Sequence, residues 1–245
     1  MTDRLFGVST RLFQTQRLTR DHLVHIAGHG FETVELVATP AHFDCADPAA
    51  ASQLADWLSD TSLKLHAVHA DDGSLDGVVD LAAQIPFGVL IIHPAAQPDA
   101  TKRRIEDAVA RLSPHGVEIA VEVMASGRWD AAALTRLLED DLEDVDAGIC
   151  LDVGHAHLTG DIGEAIEAVS GHLLTTHLHD NAGRTDDHLV PFRGTIDWDL
   201  AMMEMQKIGY DGVLMMELAD TGDPVEVLRR AAKARERLEK AFVIF

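Results

Sequence analysis

The feature that most constrains the fold of this chain is a strand-like apolar run that ends in a polar side chain. The clearest copy lies in the stretch AGICLDVGHAHLTGD, from Ala147 to Asp161. Its apolar first part is typical of a buried strand, and Asp152 stands where that strand should end. Gly154 and His155 follow and predict a loop before the next helix. The pattern indicates a metal site at the end of a strand, although a core Asp beside surface histidines would have the same sequence.

The same arrangement recurs elsewhere in the chain. Five further apolar runs end in a polar residue of the kind that binds metals: Leu63–His69, Val89–His93, Val117–Glu122, Leu173–His179 and Gly212–Glu217. In a barrel of parallel strands the carboxyl ends all lie at one face. Six such endings therefore predict one shared mouth.

Strand-like and helix-like segments alternate along the chain with little linker between them. The predicted strands are Phe6–Ser9, Thr33–Val37, Leu63–His69, Val89–Ile92, Val117–Glu122, Ala147–Leu151, Leu173–His177 and Val213–Met216. Their composition is too apolar for strands exposed on one face, so eight strand and helix units predict an α/β protein with a closed parallel (β/α)8 barrel. An open doubly wound sheet is the alternative, but no Gly-rich phosphate loop follows the first strand.

Length and composition agree with one domain over residues 1–245. A chain of 245 residues that is 47% hydrophobic can bury a full core, and a single α/β barrel has about 250 residues. No apolar run approaches the roughly 18 to 20 residues that cross a bilayer, and the first residues lack a signal-peptide pattern. We therefore expect a soluble cytoplasmic protein without a membrane partner. Cys45 and Cys150 are far apart, which favours buried thiols over a disulfide.

The charge balance disfavours a nucleic-acid partner. Lys and Arg number 20 against 41 Asp and Glu, a net charge of −21, so the average surface should repel phosphate backbones. Bound divalent ions or a local Arg cluster could reverse the field inside one cleft. The basic residues cluster mainly in predicted outer helices, such as Lys102–Arg104 and Arg229–Lys240. A homodimer is a further expectation, because barrels of this size often pair.

The strand ends supply the candidate ligands. They are His69, His93, Glu122, Asp152, His177 and Glu217, together with Glu35 inside the second strand. The loop that leads to Thr195 adds His179, Asp180, Asp186, Asp187 and His188. Carboxylates and imidazoles suit Zn, Mn or Co, with Fe also suitable, whereas an all-oxygen set would favour Mg or Ca. The sequence therefore predicts a divalent metal ion, Zn, Mn or Co, with Mg or Fe as further options.

Four motifs resemble the xylose isomerase-like TIM-barrel superfamily. They are the DxGH of Asp152–His155, the HLHDN of His177–Asn181, the DxH of Asp186–His188 followed by Gly194 and IDW, and Glu217 at the end of the last strand. That superfamily includes sugar and sugar-phosphate isomerases, ketose 3-epimerases and AP endonucleases of the endonuclease IV type. The resemblance spans essentially the whole chain and is strongest from Val117 onward.

Two branches of the superfamily imply different metal centres. Resemblance to the isomerase and epimerase branch implies one divalent ion held by Glu122, Asp152, His177 and Glu217. Resemblance to the endonuclease branch implies three zinc ions that use these four residues together with five more: His69, His93, His155, Asp186 and His188. This sequence has a candidate for every position in both sets.

The acidic character of the chain favours the sugar branch, since its loops are not rich in Lys or Arg. The expected function is a metal-dependent sugar or sugar phosphate isomerase or epimerase that works through a metal-stabilised enediolate. Glu122 and Glu217 are the expected catalytic residues: one removes a proton and the other returns it on the opposite face. The alternative is a multinuclear zinc phosphodiesterase of the AP endonuclease type.

Substrate contacts are expected from Glu35, His155, His179 and Arg193. Glu35 could instead orient a neighbour, and Arg193 could form a salt bridge. His155, with Asp186 and His188, could bind a second ion, bind substrate hydroxyls or form a structural loop network. A third interpretation of the whole chain is a sugar-binding or regulatory protein, but the large ligand set argues against it because buried charges without a use are costly.

Overall fold

Eight parallel strands close on themselves in sequence order in the computed structural model, which describes residues 5–70, 75–125 and 128–242. The strands are β1 (Phe6–Ser9), β2 (Thr33–Val37), β3 (Lys64–His69), β4 (Val89–Ile92), β5 (Glu118–Glu122), β6 (Ala147–Asp152), β7 (Leu173–Leu178) and β8 (Leu214–Met216). Pairing of β1 with β8 completes the ring. The predicted (β/α)8 barrel is confirmed, and the open sheet is wrong.

The helices of the described residues follow the strands around the outside. They are α1 (Arg20–Gly28), α2 (Pro48–Thr61), α3 (Leu75–Ala82), α4 (Pro98–Leu112), α5 (Ala131–Arg136), α6 (Val153–Thr159), α7 (Ile162–Ala168), α8 (Trp198–Lys207) and α9 (Pro224–Phe242). Helix α4, which contains Lys102–Arg104 as predicted, begins at Pro98, because a proline in the first turn lacks only an N–H that would have no partner there. Among these helices, none combines the length and the apolar character needed to span a bilayer.

The segment after β6 differs from the sequence prediction. A loop was expected around Gly154 and His155, but these residues lie in α6. Asp152 explains the helix, because its Oδ1 accepts a hydrogen bond of 2.7 Å from the backbone N–H of His155 and so caps the first turn. The same carboxylate that ends the strand therefore also starts the helix.

The hydrophobic core has two layers. The larger layer lies between the strands and the helices, and a smaller one fills the inside of the barrel with Ala67, Val89, Ile91, Ala120 and Cys150. Apolar side chains thus close the barrel below its carboxyl-terminal mouth. Both cysteines are free and buried, as predicted, and burial raises the pKa of each thiol to about 12.

Candidate metal centre

The polar strand ends converge on one buried volume at the carboxyl-terminal face of the barrel. Five of the seven predicted residues lie at the end of a strand or directly after it: His69, His93, Glu122, Asp152 and Glu217. His177 is the residue before the end of β7, and Glu35 lies in the middle of β2. All are buried except His93, whose side chain is 31% exposed. Because the barrel fixes where strands end, these residues meet although they are spread over most of the chain.

The first cluster, here called the central group, contains Glu122, Asp152, His177 and Glu217. One ligand atom from each lies within 4.8 Å of all the others. Nδ1 of His177 is 3.1 Å from Glu122 Oε1, 3.7 Å from Glu217 Oε2 and 3.8 Å from Asp152 Oδ2. Three carboxylates thus surround a single ring nitrogen, and the four residues together offer a small site for a cation.

Glu35 determines which nitrogen of His177 faces the central group. The Nε2 of His177 is 2.9 Å from Glu35 Oε2, and both side chains are fully buried. When Nε2–H donates to Glu35, the lone pair of Nδ1 points at the carboxylates. Histidine ligands of metal ions are commonly held in this way by a carboxylate on the other nitrogen.

A second cluster, the histidine-pair group, contains His69, His93 and Glu122. Glu122 Oε2 lies 2.7 Å from His93 Nε2 and 3.2 Å from His69 Nε2, and the two ring nitrogens are 3.2 Å apart. Ligand atoms of a tetrahedral zinc ion are about 3.3 Å from one another when each is about 2.0 Å from the metal. The spacing of these three atoms is therefore compatible with one shared ion.

A third cluster, the loop group, contains His155, His179, Asp186 and His188. Nδ1 of His155 donates to the carbonyl of Val123 at 2.8 Å, and Nδ1 of His188 donates to the carbonyl of Glu217 at 3.0 Å. In the neutral imidazoles these bonds leave a lone pair on each Nε2, and both Nε2 atoms lie 3.1 Å from Asp186 Oδ2. Acceptor atoms that face one another in this way require a proton or a metal ion between them.

The loop that carries Asp186 and His188 is held by Asp180. This buried carboxylate accepts hydrogen bonds from the backbone N–H of Asn181 and of Ile196 and from Nε1 of Trp198. An antiparallel bridge between Asp180 and Leu189 closes the loop at its base. The loop group therefore rests on an anchored segment.

The charges of the centre are strongly coupled. Burial raises the pKa of Glu122, but the imidazoliums of His177 and His69 outweigh it and hold that pKa well below its usual range. Burial lowers the pKa of His155, yet the carboxylates around it, with Asp152 first, raise it to about 10. The pKa of Asp186 is lowered, since hydrogen bonds from His155 and His188 overcome the effect of its burial. Glu122 and Asp186 are therefore ionised, and nearby positive charge stabilises them.

Unsatisfied oxygens show that a divalent ion fits. Glu35 Oε1 is buried and accepts no hydrogen bond from the described residues, and Glu217 Oε1 has only His69 Nδ1 at 3.4 Å. The donors are nitrogen and oxygen without a thiolate, as Zn, Mn and Co accept. The residues of the central group would hold such an ion, and the other two groups have the donors to hold more.

The remaining predicted residues have different surroundings. His179 lies just beyond β7 and is fully buried, and its Nε2 contacts Asp152 Oδ1 at 2.9 Å. Arg193 is exposed in the loop after β7 and forms no ion pair with the described part of the chain. A substrate contact by either residue stays a prediction.

Two arginines at the mouth were missed by the sequence analysis. Arg104 of α4 donates to the carbonyls of His93 and Ala70, each at 3.1 Å, and so joins an outer helix to the ends of β4 and β3. Arg11 follows β1 and lies within electrostatic range of Glu217. The signal for Arg11 was its place directly after the first predicted strand, where the loops of the carboxyl-terminal face begin.

Gly154 allows His179 to reach Asp152, because a Cβ at this position would lie only 2.0 Å from His179 Cε1. We expect Gly154→Ala to displace the ring, to weaken zinc binding about 10- to 100-fold and to lower the free energy of unfolding by about 1–3 kcal/mol. Zinc titration measures the affinity, and thermal unfolding measures the change in stability. Gly171→Ala is the control, since a Cβ there meets nothing within 4 Å. Equal affinity in the two variants would contradict a role for this close packing.

Comparison with known proteins extends over nearly the whole chain. Residues 23–241 match the family model described as xylose isomerase-like TIM barrel. The uncharacterized protein MJ1311 of Methanocaldococcus jannaschii is 24% identical, with 97% of this chain and 95% of that protein covered.

Several solved structures have the same fold. A D-tagatose 3-epimerase-like protein superposes with a TM-score of 0.79 at 22% identity, covering 98% of this chain and 97% of that one. The IOLI protein with a bound zinc atom superposes with a TM-score of 0.80 at 18% identity, covering 98% of this chain and 100% of that one. D-psicose 3-epimerase in the presence of D-fructose superposes with a TM-score of 0.77 at 15% identity, covering 97% of this chain and 99% of that one. At these identities the likeness is one of fold.

Proposed function

Because the chain belongs to the xylose isomerase-like TIM barrel family, we propose that it is a metal-dependent isomerase or epimerase of a sugar or sugar phosphate. The likeness to D-psicose 3-epimerase and to a D-tagatose 3-epimerase-like protein supports a sugar substrate. The zinc atom in the similar IOLI protein supports a metal ion.

The observation that carries this proposal is the central group, with Glu122, Asp152, His177 and Glu217 from four consecutive strand ends. When bound there, a divalent ion supplies a Lewis acid that makes the C–H bond beside a carbonyl more acidic. Asp152 and His177 would hold the ion. Glu122 and Glu217 each have a second oxygen and are ionised before the reaction, so either carboxylate can remove the proton. The opposite carboxylate takes up a proton from solvent and donates it to the other face of the carbon, while the first loses its proton to solvent.

Proton exchange tests this proposal even though the sugar is unidentified. The metal-free protein is loaded separately with Zn, Mn and Co and incubated in deuterated water with a panel of ketoses, aldoses and their phosphate esters. NMR should detect deuterium beside the carbonyl of at least one sugar, together with its epimer or isomer, and no deuterium with the metal-free protein. Absence of exchange for every sugar with a fully loaded protein would rule the proposal out.

A multinuclear phosphodiesterase that cuts DNA at abasic sites is the second candidate. It is favoured by the histidine-pair and loop groups, which have the donors for further ions. The first contacts the central group at Glu122 and the second at Asp152. In this arrangement Glu122 uses Oε1 in the central group and Oε2 in the histidine-pair group. The charge of −21 opposes a DNA substrate, which is why we rank this function second.

Elemental analysis of the metal-loaded protein, combined with a nicking assay, separates the two functions. One ion per chain and sugar turnover agree with the first proposal. Three ions per chain and cleavage of abasic DNA would establish the second function instead.

A further inference from the structure

Arg11 has a position at the mouth that the proposed chemistry does not use. A Cβ at Gly7 would meet Thr33 Oγ1 and the end of Met215, so this position of β1 faces the inside of the barrel. Ser9 is the next residue on that side. Arg11 lies in the turn that follows, where its backbone N–H donates to Ser9 Oγ at 3.2 Å. In the turn Thr10–Phe13, Arg11 is the one residue that is not buried, whereas the others pack into the protein. Its side chain therefore remains available at the rim.

The neighbours of Arg11 place it beside the metal centre. Strand β1 pairs with β8, with Val8 opposite Met216, so Glu217 and Arg11 both lie just beyond the paired residues. The guanidinium also lies within electrostatic range of Glu217. Arg11 thus acts on the same carboxylate that we propose as a catalytic base, from the side of β1.

The guanidinium has no protein partner among the described residues. Arg11 forms no ion pair with any described carboxylate, and its Nε is buried and makes no hydrogen bond. A buried donor without a partner destabilises the folded state. The planar fork of an arginine suits the paired oxygens of a phosphate or carboxylate. Arg193 also lacks an ion pair but is exposed, whereas Arg11 combines an unpaired guanidinium with a buried donor atom.

We propose that Arg11 binds an anionic group of the substrate, a phosphate ester or a carboxylate. This inference rests on the proposed sugar function and narrows its substrate class. Because Arg11 lies beside the central group rather than within it, the anion belongs to a carbon away from the reacting carbonyl. In this proposal, the residue after β1 binds the charged group of the substrate, and the residues at the ends of β5 to β8 act on the reacting atoms.

Binding to the zinc-loaded protein tests this inference. Isothermal titration compares D-fructose, its terminal phosphate ester and a keto sugar acid, so that the two sources of negative charge are distinguished. One anionic sugar should bind about 10- to 100-fold more tightly than D-fructose, as expected for one bidentate charged contact. Arg11→Met should reduce this preference to less than about threefold, and Arg11→Lys should retain part of it. The matched control is Arg128→Met, which removes an exposed arginine of the loop after β5.

The outcomes separate this inference from the proposed function. An anion preference that persists in Arg11→Met, or that disappears in Arg193→Met instead, would overturn the role of Arg11. Equal binding of neutral and charged sugars by the unmodified protein would also overturn it. An Arg11-dependent preference without proton exchange in any sugar would support the anion site while it rejects the isomerase proposal.

Discussion

Replacing Glu217 by Gln should lower the rate at which two epimers interconvert by about 10²- to 10⁴-fold, the usual contribution of one general acid or base. Glu217 is buried, and its pKa is held well below its usual range because His177 and other cations outweigh burial. The carboxylate is therefore ionised and able to accept a proton. Glutamine has the same shape but cannot take one. Rates are compared at saturating metal, with metal content measured in parallel, since the substitution also weakens a ligand.

Glu122→Gln should have an effect of similar size, and the two variants together test the two-base mechanism. Each should still exchange deuterium into the epimer whose proton faces the remaining carboxylate, although neither converts one epimer into the other. Glu236→Gln makes the same charge change on the exposed face of α9 and should leave turnover unaltered. If Glu122→Gln and Glu217→Gln both retained full interconversion, the assignment of both bases would be wrong.

The strands could be predicted from sequence because strands buried on both faces form continuous apolar runs. Phe6–Ser9, Thr33–Val37 and Val89–Ile92 are observed with the bounds that were predicted. Helix α6 was missed because it has only seven residues, two of them His and one Gly, and its pattern is too short to show a period. A short helix after a ligand residue is specified by its cap rather than by an apolar stripe.

The convergence of the ligands could be predicted because a closed barrel brings all carboxyl strand ends to one face. The hydrogen-bond partners of each candidate ligand could not be predicted. Glu35 and His177 are 142 positions apart and meet through a hydrogen bond across the barrel, which depends on side-chain direction and on a register shift near Glu35. Arg104 was assigned to an outer helix, yet its side chain reaches the carbonyl of His93. Such contacts depend on tertiary packing, for which sequence spacing contains no signal.

Asp152→Ala should cause the largest combined loss of metal affinity and stability. Its side chain is a proposed ligand, it caps α6 through the N–H of His155, and it is the partner of His179 Nε2. Losing the cap costs about 0.5–2 kcal/mol, and leaving His179 unpaired costs about 1–3 kcal/mol. In a chain of this length these losses together lower the melting temperature by about 3–20 °C. Zinc affinity should fall by at least about 100-fold, because an anionic ligand and the support of His179 are lost together.

Asp161→Ala isolates the capping contribution. Asp161 begins α7 as Asp152 begins α6, with Oδ1 accepting from the N–H of Glu164 at 2.9 Å, but its side chain is exposed and outside the central, histidine-pair and loop groups. This variant should lose about 1 kcal/mol and bind zinc normally. Thermal unfolding of the metal-free and zinc-loaded forms then separates the two effects, because a ligand stabilises the folded state according to its affinity. A zinc-induced rise in melting temperature that is equal in Asp152→Ala and Asp161→Ala would show that Asp152 holds no metal.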